Sequence, residues 1–354
     1  MSVLADPPRF SAVSPWVVMH ANPLDQPPPL TPVRLLTAWT FDPWAVLGLL
    51  IPAALYVWGV LRLRRRGDAW PVGRTVAFLG GGMGFLAVAL LSVLGTYDTV
   101  LISIHMVQHM LLSMVVPMFL ALGAPVTLAL RTLPPGGRKV LTAVLHSPVV
   151  KVLSFPVVAF ALYIANPFIL YFTGLYDITL RSEFWHNFLH VHFLVTSSLF
   201  YWPLVGVDPI PNRLAYPFRV LIFMLTLPFH AFLGVTIMGS QRLIAEEWYV
   251  SFERAWPPSP LQDQEIAGAI LWGSGDGIAL IVIGVLFVQW VRQSQAEARR
   301  EDRRLDRAEA AAARAAVPDH DQQGGAEDLA RSEPPVGARY DAPAAPDTTK
   351  DSPQ

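Results

Sequence analysis

The sequence predicts an all-α integral membrane protein. It reads as a bundle of seven transmembrane helices, with the N-terminus outside, the C-terminus cytoplasmic and a disordered C-terminal tail. Three observations predict this. Of 354 residues, 53% are hydrophobic and 15% charged, with a mean hydropathy of +0.41, too apolar for a soluble domain of this length. Apolar runs close to twenty residues recur, the length at which a helix crosses a bilayer. Arginine and lysine gather in alternate loops, which the positive-inside rule assigns to the cytoplasm.

Composition also excludes several chemistries. The chain contains no cysteine, so disulfides, thiolate metal sites and CxxC redox chemistry are ruled out. Any metal must be held by His, Met, carboxylate or backbone. Lysines occur only at 139, 151 and 350, so the seventh span cannot form a retinal Schiff base. The net charge of −1 hides an uneven distribution and says little about partners. No cleavable signal peptide is expected, and the first span is expected to direct insertion.

Residues 1–42 are proline-rich and read as an irregular extracytoplasmic segment, with Trp16, Trp39 and Trp44 suited to a membrane interface. Residues 43–292 read as the transmembrane domain and 293–354 as a charged helical extension and tail. The first span is predicted over Pro43 to Leu61, stopped by Arg62, Arg64, Arg65 and Arg66. The second, Thr75 to Leu94, contains Gly80, Gly81, Gly82 and Gly84, small enough to let helices approach. The third, Val100 to Leu122, precedes a basic turn from Arg131 to Lys139. The fourth, Val149 to Phe172, carries Asn166-Pro167 as a candidate bend. The fifth runs from Phe184 to Val205 and is followed by a loop with Arg213 and Arg219. The sixth covers Val220 to Met238, and the acidic stretch Gln241 to Glu265 follows as a long loop. The seventh, Ile266 to Trp290, is predicted to break at Gly273-Ser-Gly-Asp276-Gly277. Beyond Arg292 the composition predicts a helix to about Ala316 and disorder after it.

The third span holds His105 and His109, four residues apart and therefore on one helical face. Met106, Met110, Met114 and Met118 repeat at the same interval beside them. Imidazole and thioether are both ligands that copper accepts, although methionine also serves simply to fill a core. His186 and His190 form a second pair on the fifth span, with His192 roughly 200° around the helix from His190. The sixth span carries His230. At about 1.5 Å per residue, these six histidines fall in one slab, the outer half of the membrane. Ionisable groups are costly there and ordinarily face a cavity or partners, so the coincidence points to a metal or haem site. The candidate metal ligands are His105, His109, His186, His190, His192, His230, Met106 and Met110. Asp98 and Asp276 are the carboxylates expected to orient a ligating histidine from behind. Asp276 alternatively serves an ion path or an interhelical hydrogen bond. His20, His146 and His320 fall in loops or tails and carry no assignment.

Several stretches resemble one family. They are His105-Met-Val-Gln-His109-Met110 followed by Leu122-Gly-Ala-Pro125, then His190-Val-His192-Phe-Leu, then Tyr201-Trp-Pro-Leu-Val-Gly-Val-Asp-Pro209. His230-Ala-Phe-Leu-Gly234 and Asp263-Gln264 ahead of Ala267-Gly268 and Trp272 complete the set. Together they resemble the seven-span bacterial CtaG-type cytochrome c oxidase assembly proteins, over about 41–292. Gly273-Ser-Gly-Asp276-Gly277 departs from that pattern, in which a proline is usual. The resemblance implies a non-enzymatic, multi-pass protein of the bacterial plasma membrane. It would help mature a caa-type haem–copper oxidase by supplying copper, with oxidase subunits and other copper chaperones as partners and no nucleic acid. A haem-binding electron carrier, with histidines as axial ligands, remains the alternative from another class, and a transporter built on the seventh span is a third.

Overall fold

The computed structural model describes residues 28–209 and 214–316. The expectations placed on Trp16, His20, Arg213, His320 and the tail beyond 316 lie outside the described residues. The chain divides into two units, 1–292 and 293–354. Among the described residues the second unit consists of the last part of one long helix.

Among the described residues, six helices are long and apolar enough to cross a membrane: Pro43–Arg65, Val72–Tyr97, Ile102–Thr132, Glu183–Val205, Tyr216–Gly239 and the helix beginning at Pro260. A seventh span exists if Pro156–Phe172 and Leu175–Arg181, bent by 74°, count as one. We number the spans one to seven in chain order with that bent pair as the fourth. All regular structure among the described residues is helical, as the sequence predicts. Outward faces carry large exposed apolar side chains such as Leu50, Leu55, Phe188, Val195, Leu221 and Ile281. Such a surface suits lipid rather than water.

Two of the helix starts are fixed by carboxylates. Asp42 caps span one, accepting from the amides of Trp44 at 2.8 Å and Ala45 at 3.4 Å, with Pro43 at the first helical position. Span three is capped from a distance: the carboxylate of Asp263 accepts the Ile102 amide at 2.6 Å and the Ser103 hydroxyl. That bond fixes where the histidine-bearing helix begins. Near its other end Ala124 adopts a left-handed conformation, φ 52°, before Pro125 restarts the helix.

Four features differ from expectation. Residues 28–42 include a short helix, Pro32–Thr37. The fourth span starts at Pro156 rather than Val149, because Ser154-Phe155 separates it from the helix Pro148–Leu153, and its marked bend falls at Thr173-Gly174. The long loop contains the helix Glu246–Ser251. The seventh span does not break at 273–277; one helix runs from Pro260 to Ala316, because the glycines keep helical geometry and Gly275 packs against Met110 and His230.

Glycine does allow close approach elsewhere. A Cβ on Gly81 or Gly82 would fall 2.4–2.5 Å from the side chains of Phe119 and Leu120, so span two lies directly on span three. Gly234 and Gly268 face each other so closely that a Cβ on Gly268 would meet the Gly234 carbonyl at 2.6 Å. Two stretches of wider π-helical turn interrupt the α geometry, at Val76–Met83 and Leu111–Val115. The second directly follows His109 and Met110.

The two ends of the bundle have different chemistry. At one end Arg131 pairs with Asp68 at 3.7 Å and donates to Ala69. Asp208 at this end accepts from Val126, Thr127 and Trp202. The basic loops after spans one and three therefore meet there. At the other end Trp248 donates to the Thr99 carbonyl at 2.8 Å, Tyr176 and Tyr249 share a 2.6 Å hydrogen bond, and Arg181 bridges Asp177 and Glu247. The histidines lie toward this second end.

Candidate metal centre

The site grows from the turn between spans two and three. Asp98 is 2% exposed and faces the start of span five. Its Oδ2 accepts from His186 Nε2 at 3.0 Å and lies 3.8 Å from His190 Nε2. Gln108 completes the arrangement: its amide nitrogen donates to the Ala89 carbonyl and to Asp98 Oδ2, each at 3.0 Å. A carbonyl oxygen can only accept, so that contact fixes the orientation of the Gln108 amide. The Gln108 oxygen must then accept from His190 Nε2, 3.0 Å away. Both His186 and His190 consequently carry hydrogen on Nε2, and in the neutral rings Nδ1 holds the lone pair.

Donor atoms of Asp98, His186 and His190 lie within 4.8 Å of one another, a separation that one metal ion can span. Asp98 Oδ1 is buried without a hydrogen-bond partner, so the carboxylate retains an acceptor. A cleft of about 610 Å³ opens onto this group. Its lining includes Asp98, Gln108 and His190 at the floor and Asp42, Glu183 and Asn187 among the other polar positions. The rest is mostly apolar, and among the described residues no lysine or arginine lines it. Its three carboxylates favour a cation.

One helical turn deeper, His105 and His109 are 2% and 5% exposed. All four of their ring nitrogens lack a hydrogen-bond partner. Leaving a buried polar group unpaired costs about 1–3 kcal/mol, so an arrangement with four such atoms on adjacent turns is not explained by packing. His105 sits between the two groups, its ring centroid 6.0 Å from His186 and 6.3 Å from His109. Tyr176 approaches His105 at 5.0 Å and Phe193 approaches His109 at 4.0 Å. Met106 is fully buried, and Tyr171 donates its hydroxyl toward the Met106 sulfur at 3.9 Å.

The other predicted residues stand apart. His192 turns away, as its helical position requires, and pairs with Asn166 Oδ1 at 2.8 Å. His230 packs beside Tyr163 at 5.9 Å and meets Met110 at Gly275. Asp276 makes no hydrogen bond to any of these histidines, and its Oδ1 is buried without a partner. Asp98, expected behind the ligands, supplies one of the three convergent donors. Gln108, Tyr171 and Tyr176 were not singled out from sequence. A glutamine between two histidines in an apolar run is the one signal that could have marked Gln108.

A family model described as cytochrome c oxidase caa3 assembly factor (Caa3_CtaG) matches residues 54–293. The chain belongs to that family. Uncharacterised proteins of Mycobacterium tuberculosis and Mycobacterium bovis are each 42% identical over 308 residues, covering 84% of this chain and 46% of theirs. One from Mycobacterium leprae is 41% identical over 305 residues, 84% of this chain and 45% of its own. The chain thus spans about half the length of these relatives. No solved structure matches it. The family match extends from within span one to the end of the first unit, so it includes every residue of the histidine–carboxylate cluster.

Proposed function

We propose that this Caa3_CtaG-family protein assists assembly of a caa-type haem–copper oxidase by binding copper within the membrane and passing it on. The convergence of Asp98, His186 and His190 on one point carries this reading. A cysteine-free chain can hold copper through imidazole and carboxylate, and Gln108 orients His190 in the manner of a group supporting a metal ligand. The acidic cleft gives an ion a route to that point. If the basic loops are cytoplasmic, the cleft lies toward the outer face, the side from which extracytoplasmic copper arrives. The oxidase's copper-bearing subunits and copper chaperones are the partners this reading implies, with the bacterial plasma membrane as its location and no turnover chemistry of its own. The haem alternative fits less well. The cleft beside His190 presents carboxylates and, among the described residues, no lysine or arginine to pair with haem propionates, while His105 and His109 are enclosed by Tyr171, Tyr176 and Phe193.

The test has two parts. Protein purified in detergent and equilibrated with copper is expected to lose one bound ion per chain on His186→Ala/His190→Ala substitution, by mass spectrometry. Cells lacking the protein are expected to make oxidase depleted in copper. Full metallation of the oxidase without this chain would defeat the reading, as would unchanged copper in the double variant.

A further inference from the structure

We infer that His105 and His109, with Met106, form a second metal station, distinct from Asp98–His186–His190, that accepts a soft monovalent d10 cation such as Cu(I) or Ag(I). The inference rests on the proposed copper handling only for the identity of the natural ion. Its structural basis is separate.

The two groups differ in what they lack. In the first, the histidines and Asp98 already bond one another and Gln108. In the second, four ring nitrogens are buried with no hydrogen-bond partner, so two lone pairs are available to a ligand. A neutral imidazole has one N–H and one lone pair, and a metal ion takes the lone pair. The two rings are near-parallel, their centroids 6.3 Å apart and their planes 19° apart, and Tyr171 lies against both.

The donor chemistry selects the ion. Each candidate donor here is neutral: two imidazoles, and the thioether of Met106, which receives a long contact from Tyr171, the residue that also lies against both rings. The walls are Tyr171, Tyr176 and Phe193. Burying a charge without a compensating anion becomes more costly as the charge rises, so a neutral, dry site favours a monovalent ion over a divalent one. Thioether favours a soft one. The Asp98 group, with an anionic oxygen and two nitrogens, suits borderline divalent ions instead. His105 lies between the two groups, its ring centroid 6.0 Å from His186 and 6.3 Å from His109.

Equilibrium dialysis of the full chain in detergent, with Ag(I) as a redox-inert soft probe and Zn(II) as a divalent probe, tests this. The His105→Leu/His109→Leu variant is expected to lose one Ag(I) per chain and keep its Zn(II). Asp98→Asn/His190→Gln is expected to show the reverse. Should the leucine variant fail to fold, imidazole nitrogen-15 shifts of His105 and His109 in the unmodified protein are expected to move on addition of one Ag(I). Silver binding untouched by the leucine variant, joint loss of both probes in either variant, or unmoved nitrogen-15 signals would each overturn the second station. Retained Ag(I) at His105 and His109 in a chain that binds neither Zn(II) nor copper at Asp98 would instead sink the proposed entry site and leave this one standing.

Discussion

Gln108 shows how one uncharged side chain can set the chemistry of its neighbours. Its amide is locked by the Ala89 carbonyl, and through it the protonated nitrogen of His190 is specified. Replacing Gln108 with Leu keeps the volume and leaves the His186–Asp98 contact in place, but frees the His190 ring to turn. Metal affinity at the Asp98 group is expected to fall about 10–100-fold, the usual cost of losing a group that orients a ligand. A titration monitored by isothermal calorimetry would read it, and unchanged affinity would remove Gln108 from the site. At this scale the sequence was only partly legible. The pairs His105/His109 and His186/His190 follow from helical spacing alone, as does the divergence of His192. That Asp98 would reach across to span five does not, because a contact between Asp98 and His186, 88 residues apart, is set by how helices cross.

Among the helices, the close crossings and the remote cap decide where the histidines sit. Gly234 and Gly268 bring spans six and seven into backbone contact, and no side chain there can swing aside. Gly268→Ala is expected to force the helices apart and destabilise the detergent-solubilised protein by about 1–3 kcal/mol, read as a lowered midpoint of thermal unfolding. Asp263→Ala acts differently. It strips the cap from the amide of Ile102 and the hydroxyl of Ser103, charge-assisted bonds worth about 1.5–3 kcal/mol each. Because His105 lies within the first turn of the same helix, this variant is expected to weaken metal binding as well as stability, whereas Gly268→Ala changes stability first. Equal loss of metal in the two variants would contradict the idea that Asp263 positions the ligands. Hydropathy located the spans because lipid imposes a length on them. It could not locate the 74° bend at Thr173-Gly174 or the π turn after Met110, since both depend on packing between helices. It also misread Gly273–Gly277 as a break: glycine only permits one, and here the helix continues, with Gly275 packed against Met110 and His230.

Among the described residues of the first unit, the basic loops after spans one and three meet at one end, and the acidic cleft and histidines lie toward the other. The positive-inside rule predicts that the arginine end faces the cytoplasm, and the proposed direction of copper entry depends on that orientation. The absence of cysteine makes it directly testable. Lys139 is exposed at the basic end. Gly174 is exposed at the histidine end, with open space around its Cβ position. Single replacements Lys139→Cys and Gly174→Cys introduce one thiol each into an otherwise thiol-free chain. A membrane-impermeant maleimide applied to intact cells is expected to label Gly174→Cys at once and Lys139→Cys only after permeabilisation. The opposite pattern would place the cleft toward the cytoplasm. The Asp98 group would then draw on cytoplasmic metal, and delivery would have to run from the inside outward.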